Sequence, residues 1–174
     1  MHVAPLLGRA GNRALGGAGA LLYPWRVMLS IPRLAFADAL ALIAGARAES
    51  LRIRVPMCIA VTDESGNLIA FERMDGSKVL SVQLSQDKAF TAAISRRPTH
   101  DYNARAVPGN LAFGIQSAHA GRFSTVGGGV PVEVEGAIVG GIGCSSGTPE
   151  QDRAAAEAGL RAFLKGLKKG RGSR

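Results

Sequence analysis

Three short stretches of the chain carry residue types that can do chemistry. Arg73-Met74-Asp75-Gly76 puts a guanidinium and a carboxylate at a turn. A guanidinium offers a planar fork that meets a carboxylate through two parallel hydrogen bonds. Arg73 is therefore a candidate to hold an acid group of a ligand, or to pair with Asp75 or another internal acid. Gly127-Gly128-Gly129, followed by Val130 and Pro131, is the second stretch. Three successive glycines cost backbone entropy, and consecutive amides in such a turn can form a nest for an anion; the competing reading is a flexible lead into a strand. The third stretch holds His100, Tyr102, Phe113, His119 and Phe123. Two histidines without a third ligand do not define a zinc site. One imidazole among apolar neighbours can still be an axial haem ligand, against an ordinary hydrogen-bonded or surface role. Lys88 sits among small and apolar helical residues, so its ammonium either snorkels to solvent or enters a pocket.

These groups need elements to position them. Ser30 and Pro32 have the form of a helix start, and Phe36, Leu40, Ile43, Arg47 and Leu51 then stack on one helical face. Residues 56–62 and 68–73 read as strands joined by the turn chemistry of 63–67. A helix over 79–95 follows. Residues 96–129 contain prolines and glycines with at most short helical pieces, and an irregular segment of that length usually binds something. Residues 131–135 alternate, Gly136 turns, and 137–144 form a continuous apolar strand. Thr148 and Gln151 have the spacing of a capping box. The helix after them buries Leu160, Phe163, Leu164 and Leu167 on one side. The order is helix, hairpin, helix, loop, hairpin, helix: an α+β domain with an antiparallel sheet.

Composition excludes several classes. The 174 residues suit one domain, and 47% hydrophobic against 20% charged residues is the balance of a packed protein. Two separated cysteines make neither a disulfide scaffold nor a CxxC redox centre. No apolar run is long enough to span a membrane. The net charge of +8 belongs to the ends of the chain, the central block being near neutral, and the basic C-terminal run has no aromatic residue; no nucleic-acid partner is expected. Gly141, Gly143 and Gly147 suggest a dinucleotide fingerprint, but no second parallel strand with an acid follows. Residues 1–29 are expected to be an extension, disordered or arising from a start site ahead of Met28, with targeting as the competing reading. Residues 30–168 form the domain and 169–174 a basic tail, in a cytoplasmic protein.

ArgMetAspGly (73–76), LysAla (88–89), GlyGlyGlyValProValGlu (127–133) and the run 138–152, with its SerGly turn and helix-starting Asp, together resemble the GlcG/HbpS family. Its small domains are associated with haem binding or degradation and are also found fused to corrinoid adenosyltransferases. The resemblance covers about residues 33–165 and implies an antiparallel sheet of about five strands flanked by helices, profilin- or PAS-like, in homo-oligomers. A fifth strand would fall at 111–115 or 123–126. Two functions are compatible with these residues. One is a haem or tetrapyrrole binder, with His119 or His100 as axial ligand and Arg73, Lys88 or the glycine amides meeting propionates. The other is an enzyme acting on a small carboxylated intermediate, aromatic ones included, with His119, His100 or Lys88 moving protons. Either uses a pocket between the Arg73–Gly76 turn and the glycine-rich loop, drawn from Arg73, Asp75, Lys88, Phe123, Gly127, Gly128, Gly129 and Pro131.

Overall fold

The computed structural model describes residues 29–171, and those from Ile31 onward belong to one compact unit. The expectations for residues 1–28, and for the last residues of the basic tail, lie outside the described residues. The elements are α1 (Phe36–Arg52), β1 (Cys58–Asp63), β2 (Leu68–Arg73), α2 (Ser81–Ser95), the single turn α3 (Ala118–Gly121), β3 (Gly129–Val134), β4 (Ala137–Ser145) and α4 (Pro149–Arg171). The four strands make one antiparallel sheet in the order β2-β1-β4-β3. The α+β class and the order of elements are those the sequence implies. The strand count is four rather than five: residues 111–115 form turns, and 123–126 run without a strand partner.

Turn chemistry explains both hairpins. In the first, the Asp63 carboxylate accepts the amides of Ser65 (3.0 Å) and Asn67 (2.8 Å), while Gly66 takes a left-handed φ of +85°. In the second, Glu135 and Gly136 both have positive φ, the geometry whose twist matches the flanking strands. Pro131 is accommodated because β3 is an edge strand.

The helices make three layers with the sheet. Between the sheet and the α1/α4 pair lies the main core, built from Leu42, Ile59, Val61, Val132, Ile142 and Phe163. On the other face α2 approaches closely, because β4 presents Gly141 and Gly143, where any Cβ would run into the α2 backbone at Ala89 and Ser85.

The start and buried face of α1 differ from expectation. The helix begins at Phe36, not at Ser30 or Pro32; the Leu34 amide instead donates to Val139 (3.2 Å), extending the sheet beyond β1. The buried face is Ala39, Leu42, Ile43, Ala46 and Ser50, while Phe36, Leu40 and Leu51 are exposed. Small residues win that face because α4 comes very near: a Cβ on Gly45 would lie 2.6 Å from that of Ala162. Thr148 and Gln151 form the expected capping box, the Gln151 side chain accepting the Thr148 amide (2.9 Å) and the Thr148 hydroxyl accepting the Gln151 amide (3.3 Å). Among the described residues no helix is long and apolar enough to cross a membrane.

Candidate functional site

Lys88 points inward. It is fully buried, and its ammonium donates to Asp152 Oδ2 (2.7 Å) and to the Cys144 carbonyl (3.1 Å). The other Asp152 oxygen accepts the Gly147 amide (2.8 Å), so one carboxylate closes the turn after β4, starts α4 and neutralises a charge from α2. Burial, with Asp152 adding to it, pushes the Cys144 thiol far above its ordinary range, which leaves it inert as a nucleophile.

The glycine triplet packs on this pair. Gly128 has φ +122°, and a Cβ there would lie 2.6 Å from the Cys144 carbonyl oxygen and 2.9 Å from Lys88 Nζ. The Gly129 amide donates to Thr99 Oγ1 (3.0 Å), and the Gly128 carbonyl accepts the Cys144 amide (2.9 Å). The triplet therefore lets the chain pass over a buried ion pair; at Gly129 the amide is already committed to Thr99 rather than presented to an anion.

Next to the pair is a cavity of about 110 Å3 bounded by Lys78, Leu80, Ser81, Leu84, Ser145 and Ser146, with Lys88 and Asp152 in its wall. Of the residues expected to form a pocket between the Arg73–Gly76 turn and the glycine-rich loop, this cavity is lined by Lys88 alone, with Lys78 and Val126 as the nearest chain neighbours of the two stretches. The side chains of Arg73 and Asp75 are exposed and make no hydrogen bond or ion pair among the described residues, although the Arg73 backbone pairs with Cys58 in the sheet. Arg73 and Gly128 share one end of the sheet but belong to opposite edges, about 14 Å apart across three strand spacings of about 4.8 Å.

The long loop forms a different surface. Its base is pinned: Tyr102 and Phe123 stack edge to face at 4.9 Å, Thr99 donates to the Val126 carbonyl (2.6 Å), and Thr91 accepts the Ser124 amide (2.9 Å). Beyond that base the loop exposes Val107, Leu111 and Phe113. Tyr102, Arg105, Asn110, Leu111 and Ala112 line a cavity of about 390 Å3. His119 is exposed on the same loop, its ring packed edge-on against Phe90 at 5.4 Å. Arg122 lies over the same Phe90 ring at 4.1 Å and pairs with Asp87 at 3.2 Å. Residues 88 and 90 are about 200° apart around a helix of 3.6 residues per turn, so His119 and Lys88 serve different flanks of α2. His119 and Ala120 also hold left-handed backbone conformations ahead of Gly121, which L-residues adopt at a cost. His100 is half-buried; its Nδ1 has no hydrogen-bond partner, and Nε2 lies 3.6 Å from Asp101.

Sequence reasoning singled out Lys88 and Gly128 but not what they touch. Ser81 and Thr99 carry no motif. Ser145, Ser146 and Asp152 lie in the run 138–152 that carries the family resemblance, and Asp152 also stands in the first turn of a helix that begins with a capping box, but neither signal names their partners.

Residues 34–161 match a family model described as haem-degrading protein HbpS-like. An uncharacterised 15.0 kDa protein from the dhaT-dhaS intergenic region of Citrobacter freundii is 37% identical over 133 residues, covering 76% of this chain and 94% of that protein. The crystal structure of Klebsiella pneumoniae protein ORFY superposes with a TM-score of 0.77 at 30% identity, over 79% of this chain and 94% of the other. The crystal structure of a PduOC–haem complex gives a TM-score of 0.72 at 30% identity, over 75% and 94%.

Proposed function

The chain belongs to the HbpS-like family of haem-degrading proteins, and from that premise we propose that it is a haem-binding domain whose ligand lies on the 103–122 loop. The observation that carries this reading is a loop fastened at both ends yet exposing Val107, Leu111, Phe113 and an imidazole, that of His119. Exposed large apolar groups gathered on one segment are the kind of surface that marks a ligand or partner site. The residues suit a flat apolar macrocycle with two carboxylate arms. Val107, Leu111 and Phe113 supply apolar cover, Arg105 a guanidinium for a propionate, and His119 an axial nitrogen. His119 is the better placed of the two histidines, since the Nδ1 of His100 is buried and its Nε2 faces Asp101. The strained backbone at His119 and Ala120 fits a residue held for a task rather than for packing. The complex of PduOC with haem supports the same class of ligand. Bound haem would supply redox-active iron; the chain would hold it and shield one face. Self-association belongs to this reading as well, because Val79, Leu80 and Val126 leave exposed apolar surface around the mouth of the smaller cavity.

Titration with haemin tests the proposal. A saturable Soret shift is expected, diminished by His119→Ala and by Leu111→Ser but not by His100→Ala. No saturable shift, or one indifferent to both loop variants, overturns it.

A further inference from the structure

The returning limb of the 103–122 loop is held more tightly than an exposed segment needs. Thr91 on α2 anchors it, donating to the Arg122 carbonyl (3.3 Å) and accepting the Ser124 amide (2.9 Å). Before that anchor, His119, Ala120 and Gly121 all take left-handed conformations, and the Arg122 amide donates to the His119 carbonyl (3.3 Å). One tight turn therefore ties His119 to a residue fixed on a helix.

An exposed side chain ordinarily changes rotamer within nanoseconds. The His119 ring instead packs on Phe90, 5.4 Å between centroids and 76° between planes. Phe90 is itself boxed in. The first hairpin turn lies against it so closely that a Cβ on Gly66 would come within 2.5 Å of Phe90 Cδ2. The Arg122 guanidinium lies over the ring at 4.1 Å and is tied to Asp87 (3.2 Å), whose carboxylate also accepts from Gln83 (2.9 Å). Gln83, Asp87 and Phe90 follow spacings of four and three, so one stripe of α2 carries the whole arrangement.

We infer that Phe90 is a positioning residue: its clamped ring fixes the direction in which the His119 imidazole is offered to a ligand on the loop, and Arg122, held by Asp87, keeps that ring in place. The inference rests on the haem reading and adds to it what aims the axial nitrogen. Plain packing would cover an apolar ring with aliphatic groups. Here the cover is an exposed imidazole and a half-exposed guanidinium, reached through two L-residues in a conformation that costs free energy. An aimed side chain spares the ligand the cost of immobilising it, which for one group corresponds to about a twofold to tenfold gain in affinity.

The test is a double-mutant cycle read by haemin titration. Phe90→Met keeps apolar bulk without the ring; it should alter the Soret band and weaken haemin by about twofold to tenfold. Phe90→Tyr, which keeps the ring, should bind as the wild type does. In a His119→Ala background Phe90→Met should have no further effect, because nothing remains for the ring to aim. Arg122→Gln carries the same test at a half-exposed position outside the core, and should act in the same direction only while His119 is present. Proton NMR reads the contact without haem. The His119 ring protons should be displaced by the Phe90 ring current in the wild type and in Phe90→Tyr, and lose that displacement in Phe90→Met. Haemin binding unchanged in Phe90→Met, an equal loss in the His119→Ala background, or an undisplaced imidazole in the wild type overturns the inference and leaves the haem reading standing. A wild-type protein that binds no haemin overturns both.

Discussion

Replacing Lys88 with Met asks what the buried pair contributes. The substitution keeps most of the side-chain volume but leaves Asp152, only 4% exposed, without its cation. Removing one partner of a buried pair costs about 3–5 kcal/mol, most of it the penalty of an uncompensated charge. For a chain of this size each kcal/mol moves the melting temperature by about 2–4 °C, so a loss of about 10 °C is expected at neutral pH. Asp152→Asn should cost a similar amount by stranding Lys88, although its amide oxygen can still accept from Gly147. The double variant Lys88→Met/Asp152→Asn removes both charges and preserves that acceptor. It should recover at least about 1–2 kcal/mol relative to Lys88→Met alone. Urea unfolding of all four proteins closes the cycle, with unchanged denaturant slopes as the check on two-state behaviour. A Lys88→Met protein within about 1 kcal/mol of wild type, or a double variant no better than the single, would refute the account of a desolvated, mutually dependent pair.

Three further outcomes follow from the geometry. Gly128→Ala should lower stability by at least about 2 kcal/mol, since it forces a left-handed residue and a methyl group onto Cys144 and Lys88; differential scanning fluorimetry reads this. Arg33 forms a two-pronged bridge to Glu64 (2.6 and 2.8 Å), and that hydrogen-bonded guanidinium lowers the Glu64 carboxyl from 4.5 to about 2. A lowered folded-state value means that the stabilisation is complete above the unfolded value and fades as pH falls towards about 2. Glu64→Gln should thus cost up to about 1 kcal/mol at pH 7 and almost nothing near pH 2, as thermal melts at the two pH values would show. Arg73→Ala should leave stability within about 0.5 kcal/mol of wild type, because the side chain is exposed and unpaired among the described residues; a large loss would assign it a structural role.

Much of the scaffold is legible in the sequence because its signals are local. The hairpin turns, the capping box at Thr148 and Gln151, and the apolar stripe on α4 each lie within a few residues. The buried face of α1 is not legible in this way. Three of its large apolar residues, Phe36, Leu40 and Leu51, point outward while Leu42 and Ile43 are buried, and the close approach of α4 falls at Gly45 and Ala46, whose merit is smallness rather than hydrophobicity. The site divides similarly. A lysine inside an apolar helix and three glycines in a row announce that something unusual happens there. Only the fold reveals that Asp152 answers Lys88, or that Ser145 meets Ser81, each across sixty-four positions of chain. Glycine is required equally where a ligand approaches and where a protein group does, so the triplet could not disclose that its neighbour is the ion pair.

The excursion from Tyr102 to Phe123 is closed at its base by one stacked pair, with its neighbouring hydrogen bonds on the inner side of that clasp, and His119 and Arg122 on its returning limb rest on α2. Shortening or lengthening it changes closure entropy only logarithmically, and its tip contributes little to the main core. The domain is consequently divisible into a frame that maintains the fold and an insert that can be rewritten. Substitutions at the tip of the insert can therefore change what it binds without disturbing Lys88, Asp152 or the glycines of β4.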